Sequence, residues 1–161
     1  MKTILSLLFL ILTVCGTAAA QANSSKSFNS DLSFIIKISN NWKLSKQKLL
    51  TLKLRNNSQS RVIVKEADGG TERNYTVELK NSNDEIIPLS SEGRRLTNRK
   101  STISVIYARI AKDEEITRTL DLTKLYSLKD DEHYTILVTT YVYIEAEKKY
   151  RKIKSNTIKI M

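Results

Sequence analysis

The feature that most constrains this chain is a period of two. In "LSFIIKIS" Leu32, Phe34, Ile36 and Ile38 fall on alternate positions, and in "LLTLKLRN" Leu50, Leu52 and Leu54 alternate with Thr51, Lys53 and Arg55. Successive side chains of an extended strand point to opposite faces, so this alternation describes strands with one face buried and the other in water. "RVIVKE" turns Val62 and Val64 inward, and "NYTVELK" sets Tyr75, Val77 and Leu79 against Thr76, Glu78 and Lys80. "STISVIYARI" and "EEITRTLDL" read as two more strands, the second carrying Ile116, Leu120 and Leu122. Register is strongly specified, because a slip of one residue would expose the whole apolar set. Between the strands stand Asn56, Asn57 and Ser58, then Asp68, Gly69 and Gly70, then Asn81 to Asp84, then Lys112 to Glu114, all turn chemistry. No amphipathic stretch is long enough for a full helix, and "DLTKLY" suits a single turn.

Seven or eight short strands with no helix between them predict an all-β, two-sheet antiparallel sandwich over residues 32–161. In its last strand, "KYRKIKSNTIKIM", Ile153 lies on the odd parity and Ile158 and Ile160 on the even. One regular strand cannot face all three inward, so a β-bulge is expected near Ser155 and Asn156.

The first residues are set apart. "MKTILSLLFLILTVCGTAAAQA" has a basic Lys2, an apolar run from Ile4 to Val14 and a small-residue finish with Ala18 and Ala20, the pattern of a secretory signal peptide over residues 1–22. The apolar run is shorter than the ~20 residues of a spanning helix, so the mature form is expected to have no transmembrane segment and to be secreted or periplasmic. Leu12 to Gly16 also resembles the bacterial lipoprotein box, with Cys15 as the lipidated residue; Val14, where a small residue is normal, favours the plain signal peptide. Residues 23–31, rich in Ser and Asn, are expected to be a disordered segment. Removing the leader removes Cys15, the single cysteine, so no disulfide supports the domain and burial must hold it. Sequons open at Asn23, Asn56 and Asn74, which matter only in a glycosylating host.

"LKDDEHYTI", Leu128 to Ile136, sets an acidic turn before a long apolar strand whose even parity carries Ile136, Val138, Thr140, Val142 and Ile144. It resembles the corner of immunoglobulin-like and fibronectin type III domains, where a turn leads into a tyrosine at the start of the penultimate strand. The resemblance implies that Tyr134 is a structural corner residue, its hydroxyl bonded back to the preceding connection, and that the sandwich is immunoglobulin-like. Asp131, Glu132 and His133 stand where Gly or Pro-Gly is usual. The rival is a calcium site at Asp130, Asp131 and Glu132, although the spacing matches no calcium loop. Taken whole, "LTLKLRNNSQSRVIV", "NYTVELKNSNDEIIPL", "EITRTLDLTKLYSL" and "KSNTIKI" resemble secreted bacterial immunoglobulin-like domains of unknown function. The layout is also similar to the bacterial intracellular proteinase inhibitor family, and to the small β-domain that accompanies some zinc metalloendopeptidases.

Chemistry is sparse. His133 is the single histidine, and no His-Glu-x-x-His motif, Gly-x-Ser-x-Gly elbow or phosphate-cradling loop occurs, so no enzyme, cofactor or metal is expected. The formal charge is +10, with 27 basic and 17 acidic residues. Such an excess suits an anionic partner, or lysines that merely keep sheet edges from pairing. The candidate binding residues are Arg94, Arg95, Arg99 and Lys100 in a long connection, and Lys148, Lys149, Arg151 and Lys152 around the last hairpin, with Tyr141, Tyr143 and Tyr150 near them. The expected function is a non-catalytic binding module for an anionic surface polysaccharide or a partner protein, with no nucleic acid. The alternative is a proteinase inhibitor or an accessory domain of a secreted protease system.

Overall fold

A computed structural model of the chain describes residues 31–39, 41–42, 45–66, 71–98 and 106–160. The leader, residues 23–30, the turn at Asp68 to Gly70, the start of "STISVIYARI" through Val105, and the candidate residues Arg99 and Lys100 lie outside the described residues.

The alternating segments form strands β1 (Leu32–Ile38), β2 (Leu49–Asn56), β3 (Val62–Glu66), β4 (Thr76–Lys80), β5 (Ile106–Ile110), β6 (Glu115–Asp121), β7 (Tyr134–Ile144), β8 (Lys149–Lys154) and β9 (Ile158–Ile160). All pair antiparallel. One sheet has the order β1-β2-β6, and the other gathers six strands around β7. β3 and β4 lie along one edge of β7 and β8 and β9 along the other, because Val142 pairs with both Val64 and Arg151, and Thr139 with both Thr76 and Lys154. β5 lies outside β3. The protein is thus an all-β sandwich of a three-stranded and a six-stranded sheet.

The expected inward residues make the core: Leu32, Phe34 and Ile36 of β1, Leu50, Leu52 and Leu54 of β2, and Ile136, Val138, Val142 and Ile144 of β7 are all buried. Ile38, at the end of an edge strand, is the exception and stays exposed. The bulge is where the parity of the last strand requires it. Thr139 pairs with Lys154 and Ile136 with Ile158, so the outer strand takes four steps where β7 takes three. Val138 bonds both ways with the extra residue, accepting from Ser155 N at 2.8 Å and donating to Ser155 Oγ at 3.0 Å. Splitting one strand into β8 and β9 accounts for the ninth strand. It also turns Asn156 toward the other sheet, where its Oδ1 accepts from Ile36 N at 2.7 Å and its Nδ2 donates to Ile36 O at 3.2 Å.

Where the sequence predicts a long connection and no full helix, a helix forms: α1 (Ser91–Asn98). Leu96 is its single large apolar side chain, so it carries no apolar period to detect. Local geometry holds it instead. Ser90 Oγ accepts from Gly93 N at 2.9 Å, which caps the first turn, and Ser90 N donates to Leu125 O at 2.8 Å. Gly93 packs directly on Leu125; a Cβ there would lie 2.2 Å from Leu125 O. "DLTKLY" does form the expected single turn, a 3-10 turn at Leu122–Lys124 capped by Asp121. Among the described residues no helix is long and apolar enough to cross a membrane.

Candidate functional site

The acidic turn is built around two side chains. Tyr134, the buried first residue of β7, accepts from Lys129 N at 2.8 Å and donates to Glu132 Oε2 at 3.2 Å, so its hydroxyl is bonded back to the preceding connection. Burial, more than the neighbouring Glu132 charge, raises the pKa of this phenol. Asp130 meets the second side chain, Lys48, at 2.8 Å. Lys48 is buried, and its ammonium also donates to Trp42 O and to Ser45 O at 2.9 Å while lying 5.8 Å from the Trp42 ring centroid. Asp130 therefore serves as the counter-ion of a buried cation. Sequence reasoning missed Lys48, because a lysine just before a strand reads as solvent-facing; its one signal is the single tryptophan six residues earlier.

Two open hollows flank this corner. One, about 480 Å³, is lined by Ser45, Lys48, Thr123, Tyr126 and Asp130 among others; the second, about 370 Å³, lies between Ser82, Lys129, Asp131, Glu132 and His133. His133 is exposed at its rim. Among the described residues no three or more His, Cys, Asp or Glu side chains group as metal ligands.

The candidate cations separate into two groups. On α1, Arg95 is paired with Glu92, whose carboxyl is held below its usual range by the hydrogen bond from Arg95, and Arg94 Nη1 donates to Leu89 O at 2.6 Å. α1 hangs on the β4 side of the six-stranded sheet, since Arg73, which leads into β4, donates to Leu96 O at 3.1 Å. β8 lies on the opposite edge of β7. In the hairpin before it, Lys148 takes a left-handed φ of 50°, and Glu147 pairs with both Lys149 and Arg151. Among the described residues no hydrogen bond or ion pair joins the two groups. Lys152 differs from Lys149 and Arg151: among the described residues it is in no ion pair, and it stands opposite Tyr141.

That pairing belongs to a larger arrangement on the solvent face of the six-stranded sheet. Across β5, β3, β7 and β8, Arg109 pairs with Ile63, Ile63 with Tyr143 and Tyr143 with Tyr150, the last two rings 5.2 Å apart and edge-on. In the next row Tyr107 pairs with Lys65 and Tyr141 with Lys152, and Lys154 follows opposite Thr139. Among the described residues Lys65, Arg109, Lys152 and Lys154 are in no ion pair. Lys65, Tyr107 and Arg109 were not singled out from the sequence; their alternation in "VIVKE" and "IYARI" placed them on a solvent face, without revealing which strands that face joins. Fold and site together define an all-β sandwich with a cationic, tyrosine-bearing sheet face. No protein-family model matches the chain, and no curated protein is significantly similar to it.

Proposed function

We propose that this chain is an exported, non-catalytic binding module whose partner is an anionic surface polymer. The observation that carries it is the set of exposed cations on strands that have no carboxylate partner among the described residues, in a chain of formal charge +10. Lysines that only guard an edge need not gather on a face, whereas uncompensated charge on a face raises the local concentration of a polyanion. Two of the three acidic residues of the corner are committed to structure: Asp130 to Lys48, Glu132 to Tyr134. The test is retention on an immobilised sulfated glycan at rising salt. Retention should fall steeply as exposed charges become screened within ~8 Å at physiological ionic strength. Passage through the column unretarded at low salt would refute the proposal. So would a hydrolase activity abolished by His133→Ala.

A further inference from the structure

We infer that the outer face of the six-stranded sheet is the binding site itself, a platform that takes an acidic polysaccharide laid across the strands. The inference rests on the binding-module proposal and adds to it the surface and the ligand class. Tyr107, Tyr141 and Tyr150 are 54%, 54% and 59% exposed although each sits in a strand, so three aromatic rings are held in water by rigid backbone. Such rings bind the C–H face of a sugar, and their hydroxyls remain free to meet sugar hydroxyls. β3 pairs with β7 as far as Val64 and Val142, so Lys65 and Tyr141, the next residues of the two strands, share the solvent face with Ile63 and Tyr143. The face thus carries two aromatic–cation pairs, Tyr107 with Lys65 and Tyr141 with Lys152, each on neighbouring strands ~4.8 Å apart.

An acidic polysaccharide presents the complement of those pairs: ring faces along its length, with a carboxylate or sulfate projecting at regular intervals. Arg109 and Lys154 extend the charge on either side, and these rows contain no acidic residue. Single-stranded nucleic acid would use the same two kinds of contact. The leader read from the sequence directs this face outside the cell, where acidic glycans are the polyanions to be met. The helix and hairpin cations are placed differently, because Arg95, Lys149 and Arg151 already have carboxylates.

Affinity electrophoresis through gels containing polygalacturonate or heparin, with a neutral glucan and a poly-uridylate oligonucleotide as comparisons, tests this on the full chain. The wild type should be retarded by the acidic glycans and not by the neutral one. Tyr107→Ala, Tyr141→Ala and Tyr150→Ala combined should weaken that retardation about tenfold or more, and Lys65→Gln with Lys152→Gln should do likewise. Arg94→Glu with Arg95→Glu should leave it within about twofold. Circular dichroism and Tm report folding for each, and Tyr141→Ala alone serves if the triple variant does not fold. Wild-type retardation that survives the tyrosine changes would overturn the platform while leaving the binding-module proposal standing. Tighter binding of poly-uridylate would overturn the ligand class. No retardation by any polyanion would overturn both.

Discussion

An ammonium group removed from water is tolerated only where oxygens replace its hydration shell. Lys48 meets that condition with two backbone carbonyls and the Asp130 carboxylate. The contributions are unequal. Asp130 is 74% exposed, so its attraction is screened, whereas the carbonyls of Trp42 and Ser45 lose their donor outright if the nitrogen is removed. Lys48→Met should therefore cost about 1–3 kcal/mol in urea unfolding, and Asp130→Asn less than about 1 kcal/mol. An Asp130→Asn loss equal to that of Lys48→Met would show that the ion pair dominates. The residue scale is also where the sequence was least legible. Tyr134 could be found because a turn leads into an apolar strand at that position. Asn56 could not: read as a turn residue, it is fully buried, and its amide donates to Ser60 O and Ile110 O while accepting from Ser58. Polar residues that organise loops from inside look, in one dimension, like polar residues that face water.

Elements were legible in proportion to how much apolar surface they bury. β2 alternates completely because one face of it is core, β7 does so except at buried Thr139, and the bulge could be located from parity alone. α1 buries only Gly93, so its position is written in one close approach rather than in a period. That approach makes a prediction opposite to helix propensity. Replacing a helical glycine by alanine ordinarily stabilises by about 1 kcal/mol. Here the added methyl would lie 2.2 Å from the oxygen and 2.9 Å from the carbon of the Leu125 carbonyl, backbone atoms that cannot rotate aside. Gly93→Ala should lift α1 off the connection after β6 and destabilise by about 1–3 kcal/mol. Urea midpoints check the magnitude, and faster amide exchange at Ser90 and Gly93 checks the cause. A stabilised variant would mean that the contact yields.

At the scale of the whole molecule, alternation showed which residues face out but not which strands lie side by side. The order β5-β3-β7 joins segments far apart in sequence, so the Tyr107–Lys65 and Tyr141–Lys152 pairs share one face only once the sheet is assembled. Global stability should carry an alkaline signature. Burial pushes the Tyr126 phenol up to about 12, and Tyr134 moves in the same direction, against an ordinary value of 10.0. Below pH 10 both folded and unfolded chains keep these protons, and the contribution is fully present. As pH rises toward 12 the unfolded chain releases them first, so stability falls. Urea midpoints measured from pH 8 to about 11.5 should decline less in Tyr126→Phe than in wild type; parallel declines would assign the alkaline loss to other groups. The clasp between Asn156 and Ile36 has a different kind of consequence, because its partners are 120 residues apart. The amide occupies part of the outer edge of β1, where an adjoining strand would otherwise bond. During synthesis, or while threading N-terminus first through a pore, β1 emerges long before Asn156 exists. Throughout that interval its edge is an open template for any extended chain nearby. The nascent molecule is guarded against sticking to its own copies only when Asn156 arrives, so a residue 120 positions later serves as the latch that retires β1 from further pairing.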